Sequence, residues 1–534
     1  MQWFRACRPH FFVFCVGLLI LSCSVLAKDN HSRPNIIVIV CDDMGFSDLG
    51  CYGGEIETPN LDALAAGGLR FTDFHNNAKC SETRASLLTG LWHQQSKNLS
   101  KNNYVTLAEV LQTAGYSTLM SGKWHVAHSP NKRGFEQYFG FLNGCINFFT
   151  GESWEATEKW GTGETEMQLN GVPFKAPKDF YSTDAFTDYA IEFLDRARSK
   201  QQPYFLYLAH NAPHFPLHAL PEDIAKYRGK YSQGWDVIRQ KRMQNLLSLG
   251  IADDNWRLSL RDPKVEPWDE LAANQKSFLE PMMEVYAAMV DRLDQNIGRL
   301  VANLKANQEL DNTLIIFFSD NGACPYQRLR NGVTVPGPAN SAIAYDARWA
   351  NMCNTPLRLY KQYAHQGGTL TPMIAHWPAV INTPGGLSGF TGHIVDLMPT
   401  VVEISGASYP RQFEGRQVLP MEGESLLAAL RGNVSNRSKP IFWEFSNNHA
   451  IRDGDWKLVA ERSKDWELYH LSKDRTETTN LAKLHPDTVA DLAAKYDTWA
   501  ARTGARLHAK AIKSKPSSQS QLFKLDQQIN SRQK

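Results

Sequence analysis

Asn35-Ile36-Ile37-Val38-Ile39-Val40-Cys41 is an uninterrupted run of mostly β-branched apolar residues. This composition is typical of a strand that is buried on both faces within a parallel sheet. The run ends at Asp42-Asp43, so two acidic residues follow directly after the strand. Ligands gather at the carboxyl ends of the strands in parallel α/β sheets. The sequence therefore predicts a central strand that delivers Asp42 and Asp43 to a functional edge of the sheet.

Helical and strand-like segments alternate along the chain after this run. Thr58-Pro59-Asn60 has the N-cap and the proline of a helix start, and Gly67-Gly68 ends that helix. Helix and strand patterns then follow in pairs, at 107–114 with 116–120, at 185–197 with 204–209, and at 282–304 with 313–319. The alternation predicts an α/β fold with a large, doubly wound, mostly parallel sheet and helices on both faces.

Short apolar runs separated by turn residues replace this alternation after about residue 440. They lie at 441–445, 450–452, 456–460 and 466–471, and a helical pattern follows at 486–502. Such close spacing predicts an antiparallel sheet. We therefore expect a large α/β domain at 28–440, with 215–280 as an insertion, and a smaller C-terminal α+β subdomain at 441–508. The basic, Ser-containing stretch 509–534 is predicted to be a disordered tail.

The composition excludes several classes of protein. Hydrophobic residues make up 43% and charged residues 21% of the 534 residues, which excludes a mostly disordered chain, a coiled coil and a collagen-like repeat. The formal net charge is +2, so no summed field favours nucleic acid or an anionic membrane. We expect a globular protein that binds no nucleic acid.

Residues 1–27 have the pattern of a secretory signal peptide. Arg5 and Arg8 precede the apolar run 11–21, and Val25-Leu26-Ala27 offers a cleavage site after Ala27. Cleavage before Cys23, which would leave an acylated lipoprotein, is the alternative. The apolar run is shorter than the roughly 20 residues of a membrane span, and no later stretch is long and apolar enough. We therefore expect an exported protein, periplasmic or secreted, without a membrane span.

Two strand ends carry the side chains of a candidate cation site. Asp42-Asp43 follows the first strand and Asp320-Asn321 follows the strand at 313–319. Carboxylate and amide oxygens suit a hard cation, Ca²⁺ or Mg²⁺, better than zinc, which prefers His or Cys. Cys41 and Cys51 bracket the first pair and could form a disulfide, which the sequence does not decide.

Cys80-Ser81-Glu82-Thr83-Arg84 lies directly before an apolar helical pattern that ends at Thr89-Gly90. Cys80 is therefore predicted at a helix N-terminus, where the helix dipole and free N–H groups favour an anion. The segment resembles the sulfatase signature Cys-x-Pro-x-Arg, in which the Cys is oxidised to formylglycine. Other segments that resemble sulfatases, and the soluble bacterial arylsulfatases most, are Asp42-Asp43, Gly122-Lys123-Trp124-His125, Ala212-Pro213-His214-Phe215-Pro216, 227–231, 283–291, Asp320-Asn321, and 355–361 with 365–368.

The resemblance implies a formylglycine-dependent sulfatase of the alkaline-phosphatase-like superfamily. A formylglycine-generating enzyme would convert Cys80 during maturation, and the modified residue would share a cation with the four acidic and amide residues above. That cation is expected to be Ca²⁺, with Mg²⁺ the alternative. The substrate would be a sulfated small molecule or carbohydrate.

The resemblance also implies a role for each basic residue of the matching segments. Arg84 and Lys123 would hold the nucleophile and offset negative charge. His125 would take a proton from the hydrated formylglycine, while His214 and Lys361 would contact the sulfate and help to protonate the leaving oxygen. Such general acid assistance contributes roughly 10²- to 10⁴-fold.

The chain departs from the sulfatase pattern at two positions. Glu82 stands where the signature has Pro, at a position that the formylglycine-generating enzyme reads, and Gln366 replaces a Glu. Two other functions stay open beside sulfate ester hydrolysis. The first is a phosphate mono- or diester hydrolase on the same scaffold, and the second is a non-catalytic sulfoglycan-binding protein in which Cys80 is not modified.

Overall fold

Two larger sheets and two two-stranded sheets make up the β-structure of this computed structural model, which describes residues 33–153, 165–328, 335–433, 436–462 and 464–508. The strands are β1 (Asn35–Cys41), β2 (Leu69–Phe71), β3 (Phe74–His75), β4 (Ser117–Lys123), β5 (Gln137–Phe141), β6 (Met167–Leu169), β7 (Val172–Pro173), β8 (Tyr204–Ala209), β9 (Thr313–Ser319), β10 (Met373–His376), β11 (Gly386–Ser388), β12 (Gly392–His393), β13 (Gln412–Phe413), β14 (Arg416–Gln417), β15 (Ile441–Phe445), β16 (Asn448–Asp453), β17 (Trp456–Ala460) and β18 (Glu467–His470). Small two-stranded pairs, β3 with β12 and β13 with β14, accompany them.

Helices surround the strands along the whole described chain. They are α1 (Pro59–Ala66), α2 (Cys80–Thr89), α3 (His93–Ser96), α4 (Leu107–Thr113), α5 (Ser182–Ser199), α6 (Pro221–Ala225), α7 (Gly234–Ser248), α8 (Ala273–Ala306), α9 (Ala347–Cys353), α10 (Gln366–Thr369), α11 (Leu397–Ser405), α12 (Leu427–Leu430) and α13 (Pro486–Thr503). Short 3₁₀ helices lie at Gly50–Tyr52, Pro130–Arg133, Trp268–Glu270, Leu310–Asn312 and Ile394–Asp396.

The larger sheet has the order β11-β2-β10-β9-β1-β8-β4-β5-β6-β7. Its central strands β9, β1, β8, β4 and β5 are parallel to one another, whereas β10, β6 and β7 pair antiparallel. The carboxyl ends of the parallel strands therefore lie at one edge of the sheet. This topology confirms the predicted α/β fold with a mostly parallel sheet.

Alternate residues of β1 contribute to two hydrophobic cores, one on each face of the sheet. Ile37 and Ile39 pack in a core with residues of α5 and α8, and Val38 and Val40 pack in a core with residues of α4 and α11. A strand with helices on both faces has no solvent-exposed side, which explains why the run at 35–41 carries no alternating polar residues.

The smaller sheet is antiparallel, with the order β15-β16-β17-β18. Trp499 and Tyr496 of α13 are buried in its apolar core. The pairing confirms the antiparallel C-terminal sheet, while the domain boundaries at residues 440 and 508 stay predictions.

A buried ionic cluster joins the segment between β2 and β3 to the smaller sheet. Asp73 accepts hydrogen bonds from Nη1 and Nη2 of Arg452 over 2.6 and 2.7 Å and from Nη1 of Arg475 over 2.6 Å. Burial acts to raise the pKa of Asp73, but the charges of these two arginines outweigh it and hold the pKa well below its usual value. The carboxylate is therefore ionised and fixes the position of β16.

The stretch at 215–280 contributes to the main core. It contains α6, α7 and the start of α8, and Trp235 and Trp268 pack edge-on or tilted against Trp349 at centroid distances of 5.2 and 5.6 Å. The long helix α8 also begins nine residues before the predicted start at residue 282 and contains Pro281.

Several predictions concern parts of the chain outside the described residues. They are the signal peptide at 1–27, the lipoprotein site at Cys23 and the disordered tail at 509–534. Within the part that is described, no helix has both the length and the apolar character needed to cross a membrane.

Candidate active site

Asp42-Asp43 and Asp320-Asn321 lie side by side because β1 and β9 are parallel neighbours. Cys41 at the end of β1 is paired with Ser319 at the end of β9. The backbone N–H of Asp320 donates to the carbonyl of Cys41 over 3.1 Å. All four side chains are buried, with at most 1% of their surface exposed. The register of two strands thus brings three carboxylates and one amide together, a group that we call the acidic cluster.

Two carboxylates of the acidic cluster are paired with buried cations. Nζ of Lys123 donates to Oδ2 of Asp42 over 2.6 Å, and Nη2 of Arg84 donates to Oδ2 of Asp320 over 2.8 Å. Burial acts to raise the pKa of Asp42, but the charges of Lys123 and His214 outweigh it and lower the pKa to about 2. Asp42 is therefore ionised at neutral pH.

Asp43 is held from the other side of the cluster by Lys361 and Asn321. Nζ of Lys361 donates to Oδ1 of Asp43, and Nδ2 of Asn321 donates to the same oxygen over 2.6 Å. Burial acts to lower the pKa of Lys361, but the charge of Asp43 outweighs it and raises the pKa well above its usual value. Lys361 is therefore a charged ammonium group in contact with the cluster.

Helix α2 begins at Cys80 and directs its first turn toward the acidic cluster. Sγ of Cys80 and carboxylate oxygens of Asp42 and Asp320 lie within 4.8 Å of one another. Arg84 is one turn further along the same face of the helix, and its Nη1 also donates to the carbonyl of Lys123 over 2.8 Å. The predicted nucleophile, the cations and the carboxylates therefore meet at a helix N-terminus.

Strand β4 brings Lys123 and His125 to the same edge of the sheet. Gly122 has a φ of +114°, and a Cβ atom there would lie 2.0 Å from the carbonyl oxygen of Ala209, so only glycine allows β4 to approach β8 this closely. Burial and the charge of Lys123 hold the pKa of His125 well below its usual value. Its Nδ1 is buried and has no partner among the described residues. A neutral imidazole in this position can accept a proton.

His214 approaches the cluster from the loop after β8. Its Nδ1 donates to the carbonyl of Phe215 over 2.6 Å, and its Nε2 lies 3.5 Å from Oδ2 of Asp43. Burial lowers the pKa of His214 to about 4, although the charges of Asp42 and Asp43 oppose this shift. The ring therefore presents Nε2 to the space beside the carboxylates.

The oxygen atoms of the acidic cluster fit a hard cation. Oδ1 of Asp42, Oδ2 of Asp43 and Oδ1 of Asn321 are buried and accept no hydrogen bond from any described residue. Burial and the charge of Asp42 raise the pKa of Asp320 to about 7, because the carboxylates repel one another. A divalent cation would coordinate the unpartnered oxygens and remove this repulsion.

A small cavity adjoins the cluster, and the residues around it include some that the sequence did not predict. Asp43, Phe215, Cys324 and Tyr345 are among its lining residues. The ring of Tyr326 lies close to Lys361 and to Lys79, and Arg328 lies close to Phe215. The position of Lys79 directly before Cys80 in the sequence could have indicated that it lies near the site. The sequence of 325–355 shows no pattern from which the positions of Tyr326 and Arg328 could be predicted.

Glu82 and Gln366, the two departures from the signature, lie outside the acidic cluster. The carboxylate of Glu82 accepts hydrogen bonds from Oγ of Ser81 over 2.6 Å and from Nδ2 of Asn98 over 3.3 Å. The backbone N–H of Gln366 donates to Glu477 over 2.8 Å. Neither side chain adds a ligand to the cluster.

Cys41, Cys51 and His210 are also buried. Cys41 and Cys51 are both buried free thiols, so the structure contains no disulfide between them. His210 is fully buried beside Phe186, at a ring distance of 6.2 Å, and is not part of the acidic cluster.

Comparison with known proteins gives one consistent result. The sulfatase family model matches residues 34–407, and the model of the N-sulphoglucosamine sulphohydrolase C-terminal region matches residues 358–497. An uncharacterised sulfatase of Schizosaccharomyces pombe is 36% identical and the alignment covers 88% of this chain and 94% of that protein. The arylsulfatase of Klebsiella aerogenes is 35% identical over 76% of this chain and 94% of its own length.

A solved structure shows the same likeness in three dimensions. The crystal structure of Ps i-CgsB in complex with k-i-k-neocarrahexaose superposes with a TM-score of 0.64 and 26% sequence identity. The alignment covers 93% of this chain and 98% of the Ps i-CgsB chain. The family model alone spans more than half of the 534 residues. The resemblance seen in the sequence is thereby confirmed, and the chain belongs to the sulfatase family, a family of sulfuric ester hydrolases.

Proposed function

We propose that this enzyme hydrolyses sulfate monoesters in the manner of an arylsulfatase, through a formylglycine made from Cys80 and with Ca²⁺ bound at the acidic cluster. The observation that carries the proposal is the position of Cys80 at the start of α2, with Sγ within 4.8 Å of carboxylate oxygens of Asp42 and Asp320, in a cluster that has three unpartnered, buried oxygen atoms. Hydrolysis of a sulfate ester needs an in-line nucleophile, positive charge around the sulfate oxygens and an acid for the leaving group.

Asp42, Asp43, Asp320 and Asn321 would hold the cation together with modified Cys80. Bound Ca²⁺ supplies positive charge to the sulfate oxygens, and hydrated formylglycine supplies the hydroxyl that attacks sulfur. Ca²⁺ is favoured over Mg²⁺ because the ligands are a buried set of protein oxygens, whereas Mg²⁺ usually keeps several waters.

Arg84 and Lys123 position the nucleophile and compensate charge. Each is paired with one carboxylate of the cluster, and the Arg84–Lys123 carbonyl hydrogen bond links α2 to the end of β4. Because both side chains are fully buried, they hold this geometry without competition from solvent. Positive charge is thus fixed in place before the substrate binds.

His125, His214 and Lys361 move protons in this proposal. The neutral ring of His125 takes the proton of the second formylglycine hydroxyl after the alcohol has left, so that the aldehyde re-forms and the bond between residue 80 and the sulfate breaks. His214 and Lys361 contact the sulfate and protonate the leaving oxygen, and the negative charge of a bound sulfate would raise the low pKa of His214. Lys361 carries a proton in the free enzyme.

Substrate class, maturation and export are part of the same proposal. A sulfated small molecule or carbohydrate is the substrate, which the carbohydrate complex of the related Ps i-CgsB supports. A formylglycine-generating enzyme is the partner in maturation. The signal-like sequence of residues 1–27 supports export to the periplasm or beyond it.

The proposed function predicts a preference for sulfate over phosphate esters. We expect kcat/KM for 4-nitrophenyl sulfate to exceed that for 4-nitrophenyl phosphate by roughly 100-fold. The phosphate ester is mostly a dianion at neutral pH, whereas Arg84, Lys123 and Lys361 each already face a carboxylate. Protein co-expressed with a formylglycine-generating enzyme is assayed on both esters. A larger kcat/KM for the phosphate would support the phosphate hydrolase instead.

A second prediction concerns the leaving group. Lys361→Arg should keep most activity toward 4-nitrophenyl sulfate but lose roughly 10²-fold or more toward an alkyl sulfate, because arginine retains the charge near Asp43 and cannot give up a proton. His214→Ala should likewise lose more activity toward the alkyl sulfate than toward 4-nitrophenyl sulfate. The measurement is kcat/KM for both esters, with His376→Ala as a control histidine outside the cluster. Equal losses on both esters would show that neither residue protonates the leaving oxygen.

A further inference from the structure

Three cationic side chains surround the ring of Tyr326, in the segment after β9. Nζ of Lys361 lies 5.5 Å, Nζ of Lys79 lies 5.9 Å and Cζ of Arg328 lies 5.9 Å from the ring centroid. Lys361 is neutralised by Asp43. Lys79 and Arg328 form no ion pair with any carboxylate of the described residues. Two positive charges therefore stand near the active site without a counterion from that part of the chain.

The same segment carries hydrogen-bond donors that lack acceptors. Nε of Arg328 and Nε2 of Gln327 are buried, and neither has a partner among the described residues. The guanidinium of Arg328 also lies 5.0 Å from the ring centroid of Phe215, so aromatic rings and not carboxylates surround it. Buried donors without acceptors are costly, and an oxyanion is the ligand that would satisfy both donors and charge.

The cationic side chains near Tyr326 lie close to the position proposed for the substrate. Lys79 directly precedes Cys80, and its charge contributes to lowering the pKa of His125. Phe215 lines the cavity that Asp43 also lines. In the proposed function the reacting sulfate lies beside Cys80 and the buried acidic cluster, so the cationic side chains around Tyr326 and Phe215 stand next to that position.

We propose that Lys79, Gln327 and Arg328 form a subsite for a second oxyanion, carried by the alcohol part of the substrate. This proposal rests on the proposed function, because that function supplies the position of the reacting sulfate. The substrate class is accordingly a sulfate monoester whose alcohol bears a carboxylate or a second sulfo group. Arg84, Lys123 and Lys361, which are paired with the acidic cluster, serve the reacting sulfate, and Lys79 and Arg328 serve this second group.

The test compares sulfate esters with and without a second negative charge on the alcohol part. The esters are 3-carboxyphenyl sulfate, 3-sulfophenyl sulfate and the amide 3-carbamoylphenyl sulfate, whose only charge is that of the reacting sulfate. For each protein, kcat/KM for an anionic ester is divided by kcat/KM for the amide, so that general damage to the site cancels. The wild-type enzyme is expected to favour at least one anionic ester, and the two anionic esters show which oxyanion it prefers.

Arg328→Gln and Lys79→Gln should each lower this ratio by about 10-fold, mainly through KM, because each removes one charged hydrogen-bonding partner. Arg328→Lys should restore part of the ratio. Arg196→Gln is the matched control, since the side chain of Arg196 is 50% exposed on α5 and is paired with Glu192. Ratios for Arg328→Gln and Lys79→Gln that equal the ratio for the wild-type enzyme would overturn the subsite.

Binding of a compound that cannot be hydrolysed separates the subsite from the proposed function. Calorimetry with the dianion 3-sulfobenzoate and its monoanionic amide 3-carbamoylbenzenesulfonate should show tighter binding of the dianion to the wild-type enzyme and loss of this preference in Arg328→Gln. If no ester is hydrolysed while the binding preference persists, the proposed function is wrong and the subsite stands. Equal binding of both compounds to the wild-type enzyme would refute the subsite, whatever the activity.

Discussion

Cys80→Ala is expected to lower the hydrolysis of 4-nitrophenyl sulfate by about 10⁴-fold or more, because removal of a nucleophile eliminates the covalent route. Cys80 is the first residue of α2 and is 1% exposed, and its Sγ is within 4.8 Å of two carboxylates of the cluster. We propose no other thiol or hydroxyl as the nucleophile. The measurement is kcat/KM of protein co-expressed with a formylglycine-generating enzyme, together with the mass of the peptide that contains residue 80.

Cys51→Ala is the matched control for this prediction. Cys51 is also a buried free thiol, but it lies in the short helix before α1 and its backbone N–H donates to Asp62. Its replacement should leave the activity and the mass of the Cys80 peptide unchanged. Undiminished turnover by Cys80→Ala would show that another residue is the nucleophile.

The mass of the Cys80 peptide also tests the non-catalytic alternative. Glu82 is held by Ser81 and Asn98 in the folded enzyme, so the folded structure tolerates Glu at this position. An unmodified thiol at Cys80 and no turnover by the wild-type protein would favour the hypothesis of a non-catalytic sulfoglycan-binding protein. Conversion of Cys80 with turnover would exclude it.

The central part of the fold could be predicted because its sequence pattern has few structural solutions. A β-branched run such as 35–41 fits a strand covered on both faces, and alternating helices force such strands to be parallel. Once β1 and β9 are parallel neighbours, Asp42 and Asp320 have to lie at the same edge. The acidic cluster could therefore be anticipated from strand ends, without any knowledge of side-chain positions.

Other features were not predictable because tertiary packing overrides local signals. Pro281 normally marks a helix boundary, yet α8 continues through it. The positions of Lys79, Tyr326 and Arg328 depend on the path of an irregular segment, which no periodicity specifies. The ion pairs that compensate each carboxylate likewise join residues far apart in the chain, such as Arg84 and Asp320.

Asp320 has two functions that a single substitution would disturb together. It contributes a carboxylate to the acidic cluster, and it neutralises Arg84, which is fully buried. Removing one partner of a buried ion pair typically costs about 3–5 kcal/mol of stability, since the other charge stays buried. To interpret a loss of activity in an Asp320 variant, a control variant with a similar loss of stability is therefore required.

Asp320→Asn should lose bound Ca²⁺ and lower sulfatase activity by roughly 10³-fold or more, because the remaining ligands cannot replace the missing negative charge. Asp396→Asn is the control, since Asp396 is also fully buried and paired with an arginine, Arg437. Both variants should unfold at lower denaturant concentration, but only Asp320→Asn should lose the ion by elemental analysis. Chelated wild-type enzyme should recover more activity with Ca²⁺ than with Mg²⁺. Full occupancy by metal in Asp320→Asn would place the cation elsewhere, whereas loss of the ion from both variants would attribute it to general destabilisation.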